Sequence, residues 1–229
     1  MHPARRPLPR CTAFVAAALL LISGCGGGAD GSAVDVAASP DTGGNGSVAS
    51  NDPGGRAQSL HGTVPEPALP RPSFRLTDTS GKPYDFAERT AGRVTLVAQG
   101  YTSCPDICSV IMADIATALR QVPDDVRDSV TVVWLTADPE RDTGPKIRAW
   151  LDRFDTSFVG LTGTRAEIAA AEKALGHPPS RRADDRVDYA VDHRADVTAY
   201  GRNDLVAVVY PPGAVSRDYA ADLPKLVKE

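Results

Sequence analysis

Val94-Thr-Leu-Val-Ala98 leads through Gln99 into Gly100-Tyr-Thr-Ser-Cys104-Pro-Asp-Ile-Cys108. The apolar run has the composition of a buried strand. Behind the cysteines, Ile107, Ile111, Ile115 and Leu119 recur at helical spacing. The two thiols therefore sit where a strand's carboxyl end turns into a helix. Pro105 suits a first helical position, since its missing N–H would have no partner there. That placement sets Cys108 against free backbone N–H groups and the positive end of the helix dipole, both of which favour the thiolate. Redox pairs of the thioredoxin kind are spaced C-x-x-C; this pair has one residue more. Three uses fit such a pair: a structural disulfide, two buried thiols, or two sulfurs converging on one metal ion. Thiolates select soft ions such as Cu(I), and zinc accepts them as well.

Outward from this stretch the elements alternate. Phe74-Arg-Leu76 and the Thr79-to-Tyr84 turn read as an N-terminal hairpin. Val130 to Leu135 is a second apolar strand, so strand, cysteine helix and strand predict a right-handed βαβ unit. Ile147, Trp150, Leu151 and Phe154 form the stripe of a further helix. Phe158 to Leu161 is a short strand or an extended link. Thr164 and Glu167 make a capping box for a helix that stops at Gly176. The charged, proline-containing segment from His177 to Asp192 reads as a surface excursion. Val197 to Tyr200 and Leu205 to Tyr210 form a hairpin about Gly201-Arg-Asn-Asp204. Ser216 opens a last amphipathic helix, which Pro224 should kink or shorten. The pattern is α/β, a central mixed sheet flanked by helices, over residues 60–229.

The amino terminus reads differently. Residues 1–24 carry Arg5, Arg6 and Arg10, then an apolar stretch from Ala13 to Ile22, as a secretory signal does. The apolar stretch is too short to span a bilayer. Leu21-Ile-Ser-Gly-Cys25 resembles the lipobox of bacterial lipoproteins, which implies lipidation of Cys25 and loss of Cys11 with the signal. Residues 25–59 are rich in Gly, Ala and Ser and have no aromatic side chain. Such a segment cannot bury enough apolar surface to fold; as a coil it reaches about 30 Å. Cys104 and Cys108 are then the remaining thiols, in an oxidising compartment outside the cytoplasm. Without the three signal arginines, 22 basic residues face 29 acidic ones, a net charge of −7. That balance argues against a nucleic-acid partner.

A third metal ligand has few candidates. His2 belongs to the signal, His61 lies at the edge of the tether, and His177 is followed by two prolines. His193 stands in Val191-Asp-His-Arg-Ala-Asp-Val197, directly before a strand. Together, Gly100 to Cys108, Asp138-Pro-Glu-Arg-Asp-Thr143, Phe158-Val-Gly-Leu-Thr-Gly163 and Val191-Asp-His193 resemble, in order, the motifs of the Sco/SenC family. The resemblance covers about residues 74 to 229. It implies a thioredoxin-like fold and a role in cytochrome c oxidase assembly. It further implies one copper ion, Cu(I) or Cu(II), held by Cys104, Cys108 and His193. Two departures stand beside the site: Ser109 where the family commonly has a second proline, and Gln99 where an aromatic residue is usual.

Two thiolates and an imidazole suit three-coordinate Cu(I), with water or a carboxylate completing a Cu(II) shell. Structural zinc usually takes four protein ligands. Asp192 is either an acceptor for the imidazole N–H or a solvated loop acid. Asp138 and Asp142, with Thr143 as a helix cap, serve either the fold or the surroundings of the metal. Two functions follow. One is a lipid-anchored copper chaperone that loads the binuclear CuA centre in the oxidase copper subunit. The other is a thiol–disulfide reductase that keeps that subunit's cysteines reduced, with Cys104 and Cys108 as the redox pair. Either needs an upstream copper donor or thiol reductant.

Overall fold

The computed structural model describes residues 60–229, apart from 185 and 187. The signal, the tether and the lipidation site at Cys25 lie outside the described residues. In chain order the elements are β1 (Arg75–Asp78), β2 (Pro83–Asp85), α1 (Phe86–Thr90), β3 (Val94–Gly100), α2 (Ile107–Gln121), α3 (Asp124–Asp128) and β4 (Val130–Thr136). They continue with α4 (Gly144–Leu151), β5 (Val159–Thr162), α5 (Arg165–Ala174), β6 (Arg181–Arg182), β7 (Val191–Asp192), β8 (Val197–Tyr200), β9 (Val206–Tyr210) and α6 (Ser216–Lys228).

Seven strands form one mixed sheet in the order β2-β1-β5-β4-β3-β8-β9. Strands β3, β4 and β5 run parallel, and β8 lies antiparallel against β3. Strand β3 is buried along its whole length, as expected of a central parallel strand covered on both faces. Because side chains alternate across the sheet, Val94, Leu96 and Ala98 pack with α2, α4 and α6 on one face. Val97 joins Phe86, Ile168 and Ala171 of α1 and α5 on the other. The expected βαβ unit is present as β3, α2 and β4, with the short α3 as an addition. The β1–β2 hairpin turns at Gly81, whose φ of 82° is left-handed. The Thr164–Glu167 capping box opens α5.

Three expectations need correction, and a fourth needs refinement. Helix α2 begins at Ile107 with Asp106 as its cap, so Pro105 lies before the helix rather than in its first turn. Helix α4 ends at Leu151, short of Phe154. Helix α6 runs through Pro224. One backbone bond is lost there, and the burial of Tyr219, Leu223 and Leu226 keeps the helix together. The segment after Gly176 lies mostly at the surface, as expected, but it is anchored and paired: His177, Ser180, Tyr189 and Val191 are buried, and β6 pairs with β7. Its buried polar residues find partners elsewhere in the fold, His177 on Gln99, Ser180 on Glu172 and Tyr189 on Asp138, so a reading based on polarity takes them for solvent-exposed.

The first described residues are ordered as well. Thr63 exchanges both backbone bonds with Val209 at the β9 edge. His61 donates its backbone N–H to Asp222 Oδ2 at 2.7 Å, and its Nδ1 lies 2.9 Å from Oδ1. Asp222 is fully buried in α6.

Candidate metal centre

The site is built at the carboxyl end of β3. Gly100 closes that strand, and a Cβ on it would lie 2.6 Å from Cys108 Sγ and 2.3 Å from Trp134 Cη2. Only glycine leaves room there for both the Cys108 sulfur and the Trp134 ring. The loop then turns back, with Cys104 N–H donating to the Tyr101 carbonyl at 3.0 Å. It is fastened by Asp142, whose carboxylate accepts from Thr102 N–H at 2.9 Å, Thr102 Oγ1 at 2.5 Å and Thr136 Oγ1 at 2.9 Å. Asp142 thus holds the loop two residues before Cys104 and is itself buried.

Cys108 is fully buried in the first turn of α2, while Cys104 is half-buried. Both are free thiols. Burial, with a smaller contribution from the hydrogen bond to Cys104, pushes the Cys108 thiol far above its ordinary value. This reverses the expected dipole effect. A helix N-terminus supplies about 0.3–1 kcal/mol to a charge near it, whereas full burial shifts a group by up to about 3–5 pKa units, or about 4–7 kcal/mol. Desolvation wins, and without a cation Cys108 is a thiol.

His193 enters from the far end of the chain, on the residue after β7. Its Nε2 lies 3.6 Å from Cys108 Sγ. Its ring stands edge-on to Tyr101, with centroids 5.6 Å apart and planes at 83°. Nδ1 lies 2.6 Å from the Arg194 carbonyl, so Nδ1 carries the proton and Nε2 presents its lone pair to the sulfurs. The orienting acceptor is therefore a backbone carbonyl rather than Asp192, whose side chain is exposed. No sequence signal distinguishes such a carbonyl, since every residue has one.

The Cys104, Cys108 and His193 ligand atoms all lie within 4.8 Å of one another. Three donors about 2.0–2.3 Å from one ion stand roughly 4 Å apart in a plane, so a slight contraction suffices to hold an ion. The set of two sulfurs and one nitrogen is soft and incomplete for structural zinc, and it suits copper. His177 is buried on the α5 side of the sheet with Gln99 and Glu172, and His61 sits against α6. Asp138 is buried and serves the fold: it accepts from Tyr189 Oη at 2.7 Å and pairs with Arg141. Arg141 also donates to the Tyr189 carbonyl at 2.9 Å. Thr143 caps α4 by position, without a side-chain bond to the helix.

A thioredoxin-like domain with a Cys-x-x-x-Cys pair at a strand end and a distant histidine defines a narrow class. The SCO1/SenC family profile matches residues 63–228, and the chain belongs to that family. The mitochondrial SCO1 homolog of Mus musculus is 33% identical over 136 residues. The match covers 58% of this chain, and the chain spans 47% of that relative's length. The copper-bound structure of Bradyrhizobium japonicum ScoI is 30% identical with a TM-score of 0.62, covering 69% of this chain and 99% of that one. Apo Sco1 of Thermus thermophilus is 27% identical with a TM-score of 0.66, covering 73% and 96%.

Proposed function

We propose that the protein is a copper chaperone, binding one copper ion through Cys104, Cys108 and His193 and passing it to the copper subunit of cytochrome c oxidase as its CuA centre is assembled. The observation that carries the reading is the convergence of the three ligand atoms within 4.8 Å. Family membership supports it, as does the soft donor set. Copper is cargo here. Entry requires Cys108 to give up a proton that burial holds tightly, so an incoming cation displaces it. Cys104 and His193 are less buried than Cys108. Handover proceeds by exchange at these two ligands while Cys108 keeps its hold longest.

The reductase reading asks for a nucleophilic thiolate. Cys108, protonated and enclosed, is a poor one, which leaves Cys104 as the attacking sulfur and gives His193 no task. We place the protein at the extracytoplasmic face of the cell membrane, anchored by lipid at Cys25. Among the described residues no helix is long and apolar enough to cross a membrane.

Copper per chain after dialysis tests the ligand set. Cys104→Ser, Cys108→Ser and His193→Ala should each lose copper, and His61→Ala should keep it. A His61→Ala variant as copper-free as Cys104→Ser would overturn the assignment. In cells, His193→Ala should lower oxidase activity, with partial recovery on added copper; full activity at low copper would favour the reductase.

A further inference from the structure

Behind the sheet, Glu172 of α5 is 1% exposed. Its carboxylate accepts from Gln99 Nε2, from the Ser180 backbone N–H at 3.0 Å and from Ser180 Oγ. The Ser180 hydroxyl also lies 3.1 Å from the Ala137 carbonyl at the end of β4. His177 Nδ1 meets Gln99 Oε1 at 3.1 Å, and the His177 backbone N–H donates to the Glu172 carbonyl at 2.8 Å. Among the described residues no Lys or Arg side chain pairs with Glu172. A carboxylate buried without a cation is costly, and hydrogen bonds are what compensate it. Gln99 is the residue that departs from the family's aromatic, and Glu172 and His177 are its partners.

The cluster lies at the root of the ribbon that delivers His193. Ser180 is followed directly by β6, whose Arg181 pairs with Asp192 and Arg182 with Val191. His193 is the next residue. A ribbon of two short strands is not stable alone. It is held at one end by Tyr189 on Asp138 and at the other by Ser180 on Glu172.

We propose that Glu172, Gln99 and Ser180 are positioning residues for the metal centre: the buried cluster fixes β6, β6 fixes β7, and β7 sets the distance from His193 to the two sulfurs. The proposal rests on His193 being a ligand. None of the three touches the metal. Loss of a partner hydrogen-bonded directly to a ligand typically weakens metal binding about 10- to 100-fold, which sets the scale for these more remote supports.

The test is a double-mutant cycle on Cu(I) affinity, measured by competition with a chromophoric Cu(I) chelator, with thermal unfolding recorded for each variant. Ser180→Ala should weaken binding about 10-fold or more. Glu172→Leu should do so at least as strongly. Glu172→Gln, which retains an acceptor oxygen for Ser180, should recover most of the affinity. In a His193→Ala background Ser180→Ala should change affinity less than about twofold, because its effect passes through the imidazole. Loss of equal size in both backgrounds would overturn the proposal, since a general loosening of the fold would disturb the cysteines too. Parental affinity in Ser180→Ala would also overturn it, and this variant decides if Glu172→Leu does not fold. Parental affinity in His193→Ala would instead refute the ligand assignment itself.

Discussion

His193 Nε2 stands 3.6 Å from Cys108 Sγ although 85 residues of chain separate the two. One residue follows a two-residue strand of a small ribbon, and the other lies in the first turn of the helix behind the central strand. The β6–β7 ribbon carries His193 to the site, and Ser180, the residue before that ribbon, meets the Ala137 carbonyl just after β4. The contact joins two members of the Cys104, Cys108 and His193 cluster.

Gly100→Ala should damage the fold and the site together. The new methyl would lie 2.6 Å from Cys108 Sγ and 2.3 Å from Trp134 Cη2. Overpacking of a tight core costs about 1–3 kcal/mol, and here relief requires the sulfur to move. Chemical denaturation should register that loss, and Cu(I) competition should register weaker binding. Parental values in both would contradict the close approach.

Asp142→Ala should lower thermal stability, because it strands Thr102 N–H, Thr102 Oγ1 and Thr136 Oγ1. A buried donor left unsatisfied costs about 1–3 kcal/mol; Thr136 is fully buried and Thr102 partly so. A net loss of about 3 kcal/mol corresponds to a Tm drop of about 6–12 °C for a domain of this size. Asp142→Asn keeps one acceptor oxygen and should fall between. Calorimetry of the metal-free proteins gives the ranking, and an unchanged Tm in Asp142→Ala would remove the carboxylate's structural role.

Alkaline pH should destabilise the metal-free domain in two stages. Burial raises the Cys108 thiol in the folded state, so the unfolded chain loses that proton first and folding loses support as pH rises above about 9. Burial likewise pushes Tyr200 up to about 12 and raises Tyr210 and Tyr219, which adds a second decline above about pH 10. Cys108→Ala should abolish the first stage and leave the second. Urea midpoints between pH 8 and 11 would resolve them; identical profiles would argue that Cys108 is not buried as a thiol.

Acid should act through His177. Burial lowers its pKa in the folded state, so between that value and about 6.5 the unfolded chain binds the extra proton. The contribution is complete above about pH 6.5 and is lost as pH falls below it. His177→Gln should flatten stability between pH 7 and 5 relative to the parent. An equal slope in both proteins would mean that His177 is protonated without penalty.

The amino-acid sequence by itself determined the strand–helix–strand unit, the place of the cysteine pair and the Thr164 cap, and it set His193 apart from the other histidines by its place before a strand. Each of these signals lies within a few residues of chain: apolar period, cap spacing, or a short motif. The family resemblance added the expectation of one copper ion with His193 as its third ligand. Tertiary structure decided what depends on distant partners. Helix position argued for a Cys108 thiolate, but burial under β3 and Trp134 made it a thiol, because desolvation outweighs the dipole. Asp192 adjoins His193 in sequence, yet the imidazole turns to the Arg194 carbonyl. His177 and Ser180 read as solvent-exposed until Gln99 and Glu172, which the chain places 78 and 8 residues away, give them buried partners. Hydrogen-bond satisfaction is a property of the folded neighbourhood, and local composition does not carry it.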